Sequence, residues 1–460
     1  MRRRRVPPFP LWTGAALLTL VLALAAWWTS RPPTTERGLG VLSRPGTGDV
    51  PSASDLLPET ADPTDLLRQA QAAWSRGRRE DTLTWLETLR RASPDALPAW
   101  AYEAAVEALM AQDREAEAQD WLTEGLERFP QSLALQKARA ELAFRRGAWA
   151  QARADYEALA RQEPQDPQVL WRLALLTSLD APPRALSYAR ALTQQATYAP
   201  HARRLEAALV RALSREHPGA RWVEVGRGLA QVGYWNLALE AWTRATQQAP
   251  EYGLAWAYLG EGLARTGRSK EAWEAWRRAR RLAPHEPLIP FLMGLQALRE
   301  GRTAWAVGWL RRAVALDPTQ PLYHYHLAQA LAGMRGFFPE AWMQAQAIVT
   351  TRPRDPLALR LAARFCLVHG VNIESHALPW LRRALALQPE DPETLLLLGW
   401  AYMALEDPDL SYRFLHRAWQ EEPGNPEVHR LLAMWYRWQG QPQQAQVHEA
   451  WAQSLETPPP

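Results

Sequence analysis

In a chain of 460 residues, the side chains able to do covalent or metal chemistry are few and poorly spaced for it. Cys366 is the single cysteine, so neither an intrachain disulfide nor a multi-cysteine zinc site can form. A nucleophilic thiolate needs a base and an orienting partner, and the apolar run Leu361-Ala-Ala-Arg-Phe-Cys-Leu-Val offers neither; it predicts a buried thiol. His324 and His326, in Tyr323-His-Tyr-His, resemble a pair of metal ligands. On a helix, however, side chains two apart point about 200° apart. None of the ten histidines has another four places on, the spacing that would aim two imidazoles at one ion. The glycines from Gly38 to Gly48 lack the lysine and the strand-to-helix setting of a phosphate loop. Carboxylates abound without a distinctive pair. The sequence therefore reads as non-catalytic, with no cofactor and no metal expected.

Charge narrows the partners. There are 53 basic and 49 acidic side chains, a net +4 that Arg2 to Arg5 largely supply. A nucleic-acid binder concentrates positive charge on one face; the chain reads as having no basic block after residue 5, so nucleic acid is not an expected partner. Twenty-four tryptophans would suit stacking on bases or sugars, but Trp222, Trp242, Trp256 and Trp276 recur at positions that read as helix seams.

That recurrence is the strongest signal in the chain. Trp222, Gly226, Leu229, Gly233, Ala238, Trp242, Ala245 and Pro250 return at a constant offset as Trp256, Gly260, Leu263, Gly267, Ala272, Trp276, Ala279 and Pro284. The same offset again gives Pro290, Gly294, Ala297, Gly301, Ala306, Leu310, Ala313 and Pro318. Each block reads as two amphipathic helices joined at a glycine able to take a left-handed backbone, with small residues allowing close approach and a proline ending the second helix. Closing prolines fall at 94, 130, 164, 200, 250, 284, 318, 353, 389 and 423 at nearly even steps, the blocks ending at Pro353 and Pro389 running slightly long. The one long step, from Pro200 to Pro250, leaves a surplus, residues 201–217, that reads as one extra helix. The expected organisation is about four repeats in 63–200, the extra helix, about seven repeats in 219–457, and a short tail at 458–460.

This pattern, with its period of about 34 residues, resembles the tetratricopeptide repeat, and does so over nearly all of residues 63–457. The resemblance implies an all-α, right-handed superhelical solenoid of about eleven helix pairs, whose first helices line a concave groove that holds other proteins or peptides. On the family's geometry the groove residues are Tyr258, Glu261, Arg265, Phe291, Leu295, Arg299, Tyr325, His326, Gln329, Arg360, Arg364, Trp400 and Arg430. Aromatics and arginines are the side chains most often found at binding hot spots, and the arginines would grip carboxylates of an extended partner.

The N-terminus reads as a membrane signal. Four arginines precede Leu11 to Trp28, which carries no charge; such a helix rises about 27 Å, enough for the hydrocarbon layer. Residues 1–28 are expected to be an uncleaved single-pass anchor in the cell membrane with the repeats extracytoplasmic. A signal peptide cut after Ala23-Leu-Ala25, releasing a secreted protein, is the alternative. Residues 29–61, rich in Pro, Thr, Ser and Gly, read as a disordered linker. Anchor plus repeats resembles scaffolds of envelope assembly or secretion; a regulatory subunit of a membrane enzyme, such as a polysaccharide synthesis or export complex, is the other reading. The oligomeric state is open.

Overall fold

The computed structural model describes residues 62–195 and 197–456. The anchor at 1–28, the linker at 29–61 and the tail at 458–460 lie outside the described residues. Twenty-three α-helices fill the rest, and no strand occurs among the described residues. None of these helices is long and apolar enough to cross a membrane.

The described chain forms two compact units, residues 62–217 with 224–241, and residues 218–223 with 242–456. The first holds α1 (Pro63–Ser75), α2 (Arg79–Ala92), α3 (Ala99–Ala111), α4 (Glu115–Arg128), α5 (Leu133–Arg145), α6 (Trp149–Gln162), α7 (Pro167–Thr177), α8 (Pro182–Ala191) and α9 (Ala199–Leu213). Two helices, α10 (Pro218–Gln231) and α11 (Trp235–Gln248), contribute to both units. The second holds α12 (Gly253–Arg265), α13 (Ser269–Leu282), α14 (Leu288–Arg299), α15 (Thr303–Leu316), α16 (Pro321–Ala332), α17 (Phe338–Thr351), α18 (Pro356–His369), α19 (Leu378–Leu387), α20 (Pro392–Ala404), α21 (Pro408–Glu421), α22 (Pro426–Trp438) and α23 (Pro442–Glu456). Within each unit successive helices pack as pairs, and each pair packs on the next.

Local chemistry explains where helices begin and end. Asp62, Asp166, Asp355, Asp391, Asp407 and Asn425 cap their helices by accepting backbone N–H groups, each just before a proline in the first turn. Within the pairs the turn takes a positive φ at Gly233, Gly267, Gly301, Gly336 and Gly370, but at two turns the same conformation falls on Asp113 and Glu406. A second regularity was invisible in the sequence. The carbonyl of a closing proline accepts a bond from a side chain early in the next helix: Gln136 to Pro130, Trp256 to Pro250, His324 to Pro318 and His429 to Pro423. At Pro94, Pro353 and Pro389 an arginine of a later second helix does this instead, from Arg128, Arg383 and Arg417. Helix ends leave carbonyls without partners, and these side chains supply them.

Close approach within a pair follows one rule. Gly260 faces Trp276, Gly294 faces Leu310 and Gly399 faces Leu415, always at the same separation along the chain. A Cβ on Gly294 or Gly399 would lie 2.7 or 2.5 Å from the opposing Leu Cγ, and one on Gly260 would collide with the Trp276 indole. Trp276 is fully buried in its gap, and it and the equally buried Trp242 donate their indole N–H to the Ala257 and Val223 carbonyls at 2.9 and 3.2 Å. Trp222 and Trp256 depart from the expected seam. Both are only half-buried, under the guanidiniums of Arg244 and Arg278, because they stand at the first turn of their helices, past the close contact.

The extra helix is α9, and its bounds differ from 201–217. Pro200 sits in its first turn and opens it, so it does not close the preceding pair. Ala202, Leu205, Ala208, Leu209 and Ala212 are fully buried, with α8 on one side (Arg190–Glu206) and Gly228 against Ala208 on the other. The surplus before Pro389 is taken up by a π-helical turn, Ile373–Ala377, entered through left-handed Asn372.

Two substitutions of opposite sign test this account. Glu406→Gly relieves a left-handed non-glycine residue and should stabilise by about 0.5–1 kcal/mol. Gly260→Val overpacks the Trp276 gap and should cost about 1–3 kcal/mol or more. Urea midpoints followed by circular dichroism give both signs.

Candidate binding face

The residues expected to line a groove lie on α12, α14, α16, α18, α20 and α22, all in the second unit. Each of these first helices touches the next, so their side chains form a continuous face.

Two polar networks dominate it. In the first, Glu261 is 8% exposed and accepts from Arg265 Nε at 2.9 Å and from Arg299 at 3.2 Å. Burial raises the Glu261 carboxyl, but the charges of Arg299 and Arg265 outweigh that and hold its pKa below the ordinary value. Arg299 also donates to Gln296 at 3.1 Å. Beside it His326 packs on Phe291, ring centroids 5.4 Å apart, and Phe291 packs on Tyr323 at 4.7 Å. Burial, with the Arg299 charge, pushes His326 down to about 4, so the imidazole is neutral.

The second network spans three helix pairs. Arg360 reaches Asp391 at 2.9 Å and Glu393 at 3.0 Å. Arg364 reaches Glu393 at 3.5 Å and Glu427 at 3.2 Å. Tyr325 is buried beside them and accepts from Gln329 at 2.7 Å; burial pushes its phenol up to about 12.

Among the other expected residues, Tyr258 is half-buried and stacks on Trp242 with centroids 5.7 Å apart. Leu295, Trp400 and Arg430 are half-buried, Trp400 against the C-terminal hydrophobic cluster. All thirteen residues thus stand on first helices, but the arginines do not stand ready to grip a partner. Arg299, Arg360 and Arg364 are already held by carboxylates of this chain. Sequence reading missed those acids, though Glu393 and Glu427 each follow a helix-opening proline at equivalent places in successive repeats, a row that aligned repeats display.

Cys366 is fully buried, and burial pushes its thiol up to about 12. His324 bonds Gln344 and the Pro318 carbonyl, away from His326. His429 and His448 meet at 2.9 Å, a pair the sequence spacing did not reveal. Among the described residues no group of three or more possible ligands is placed to hold a metal. The reading that no basic block follows residue 5 is corrected: Arg277, Arg278, Arg280 and Arg281 are all exposed on α13.

The family model for the tetratricopeptide repeat matches residues 376–434, from the π turn into α22. With helix pairs of the same build before and after it, this match supports the tetratricopeptide-repeat reading of the array. No curated protein matches the sequence. Among solved structures, yeast Tom70 is similar at 14% identity and a TM-score of 0.44, over 86% of this chain and 92% of Tom70. PilW, a type IV pilus biogenesis factor, is similar at 19% identity and TM-score 0.38, over 47% and 100% of the two chains. TTC0263, a thermophilic TPR protein of Thermus thermophilus, is similar at 23% identity and TM-score 0.33, over 37% and 91%. Identities and scores this low carry nothing about what this chain binds.

Breaking a buried ion pair from one side is costly, because the remaining charge stays buried. Arg299→Ala should therefore destabilise by about 3 kcal/mol, and Glu261→Leu combined with Arg299→Leu by less than Arg299→Ala alone; denaturant titration decides.

Acid should act through the histidines. His326 falls from 6.5 to about 4 on folding, and burial also lowers His201, His369 and His448. As pH drops through 6.5 the unfolded chain takes up protons first, so this stabilisation is whole above 6.5 and lost towards 4. Melting temperatures should fall across that window, and His326→Asn should flatten part of the slope.

Proposed function

We propose that this chain is a non-catalytic, membrane-anchored scaffold of the cell envelope that holds segments of other proteins along the first helices of α12–α22. The observation that carries the reading is the continuous face itself. Successive first helices present Tyr258, Leu295 and Trp400 over buried Phe291 and Tyr325, with arginines immobilised between them by this chain's own acids.

Pre-paired arginines change the chemistry expected of the partner. A guanidinium already bonded to carboxylates adds little net charge, and its remaining N–H groups are fixed in direction. Such a face favours a segment that contributes apolar side chains and backbone carbonyls over one rich in acids. Fixed donors also lower the ordering cost of binding.

The anchored, extracytoplasmic placement rests on Arg2 to Arg5 followed by the uncharged Leu11 to Trp28. N-terminal sequencing of the membrane fraction should find Met1 or Arg2, and protease added outside spheroplasts should reach the repeats. A mature terminus near Ala26, or protection of the repeats, would overturn the placement.

For the face, photo-crosslinking residues at Leu295 and Gln329 should trap a partner that the same residue at Asp409, on a second helix, does not. Leu295→Asp with Trp400→Ala should weaken capture at least tenfold, as loss of hot-spot contacts does, without touching either ion-pair network. Capture that survives this pair of changes would sink the assignment.

A further inference from the structure

A second surface stands on second helices, away from the face just described. Two stripes at helical spacing run side by side, Trp273, Arg277 and Arg280 on α13, and Trp305, Trp309 and Arg312 on α15. Between them opens a cleft of about 330 Å³, lined by Trp273, Arg277, Arg280, Met293, Trp305 and Trp309. Trp273 and Trp305 stack at 4.6 Å, Trp309 meets Trp305 edge-on at 6.2 Å, and Trp305 is left 44% exposed. The Trp273 indole N–H is satisfied by Glu300 at 2.9 Å. The buried Trp309 N–H has no hydrogen-bond partner among the described residues, a deficit that buried polar groups normally do not carry.

The rim is cationic and under-paired. Arg280 lies over the Trp309 ring at 5.4 Å with no carboxylate, and Arg281 and Arg312 are exposed without an ion pair among the described residues. Arg277 has only the exposed Glu274, at 3.9 Å, and Arg302 reaches Glu300 at 3.5 Å. One repeat later the same position is properly matched. Arg311, the counterpart of Arg277 in the next repeat, bonds both oxygens of Glu340 at 2.7 and 2.8 Å. The counterpart of Glu340 one repeat earlier is Trp305, because the later repeat carries one extra residue and its Gly336 and buried Ala341 answer to Gly301 and buried Ala306. The acid that the array provides at the next step is missing here.

We propose that a partner protein supplies it: the cleft docks a short acidic segment that sets one bulky apolar side chain against Trp305 and Trp309. Flanking carboxylates lie on Arg280, Arg281 and Arg312. The recess has room for a side chain or two, which fits a peptide better than a flat lipid surface. The cations form two short stripes beside it, not a track following a phosphate backbone.

The test uses the full chain and a fluorescein-labelled peptide of about twelve residues, a Leu-Leu pair flanked by glutamates, read by polarisation. Wild type should bind it saturably. Arg280→Glu with Arg281→Glu, both at exposed positions, should weaken binding at least tenfold with helicity unchanged, as should Trp305→Ala or a glutamine version of the peptide. Leu295→Asp, on the other face, should leave this binding intact, so failure here and failure of the first-helix face are told apart. The proposal is overturned if the peptide does not bind, or if the charge-reversed protein binds it like wild type. It is equally overturned if Leu295→Asp removes the binding, or if phosphatidylglycerol vesicles or oligothymidine bind more tightly than the peptide.

Discussion

Everything in this array depends on how closely the two helices of a pair approach. A large side chain on the second helix, Trp276 or Leu415, occupies space that Gly260 or Gly399 leaves by having no side chain. Contact at that distance lets an indole N–H reach a main-chain carbonyl of the first helix, at Ala257 and at Val223. Packing and hydrogen bonding therefore reinforce one another at one spot in the pair, and the rest of the repeat is arranged to permit it. Turns take positive φ so that the second helix can return at once. Aspartate, asparagine and proline start helices where that return requires, and carbonyls left over at the far end are taken by side chains of the following pair.

Nearly all of this scaffold was legible in the sequence because it is periodic and local. Glycines, closing prolines and caps report on the few residues around them, so the pairs, their turns and even the surplus residues before Pro353 and Pro389 could be placed. What could not be read was whatever joins one pair to another. Trp222 and Trp256 look like seam residues in an alignment of repeats, and only packing shows that they stand under arginines at the rim. Pro200 looks like a terminator and is an initiator, since a proline suits a first helical turn as well as the residue after a last one.

The face suffered the same limit. Its thirteen residues could be named because repeat geometry fixes which positions share a side, but their electrostatic state could not. Arg360 and Arg364 look available until Asp391, Glu393 and Glu427 arrive from helices further along the chain. Charge pairing across repeats is set by side-chain reach, which residue type alone does not disclose. The inverse holds on α13, where Arg280 and Arg281, part of a basic row that the reading of the sequence overlooked, have no ion pair among the described residues, while Arg311 on the neighbouring helix has Glu340.

One contact bears on how the array comes apart. In a chain where each repeat meets only the next, structure can be lost from the end in single steps, each nearly independent of the one behind it. Arg364 does not respect that order, because it reaches past the neighbouring pair to Glu427 on α22. Arg360 and Arg364 together bind the openings of α20 and α22 to α18. Fraying of the last pair alone thus strips a charge partner from a half-buried guanidinium two pairs back. An ion pair this exposed adds about 1 kcal/mol or less, yet it ties the C-terminal three pairs to one another, so that loss of the last pair is felt beyond its immediate neighbour.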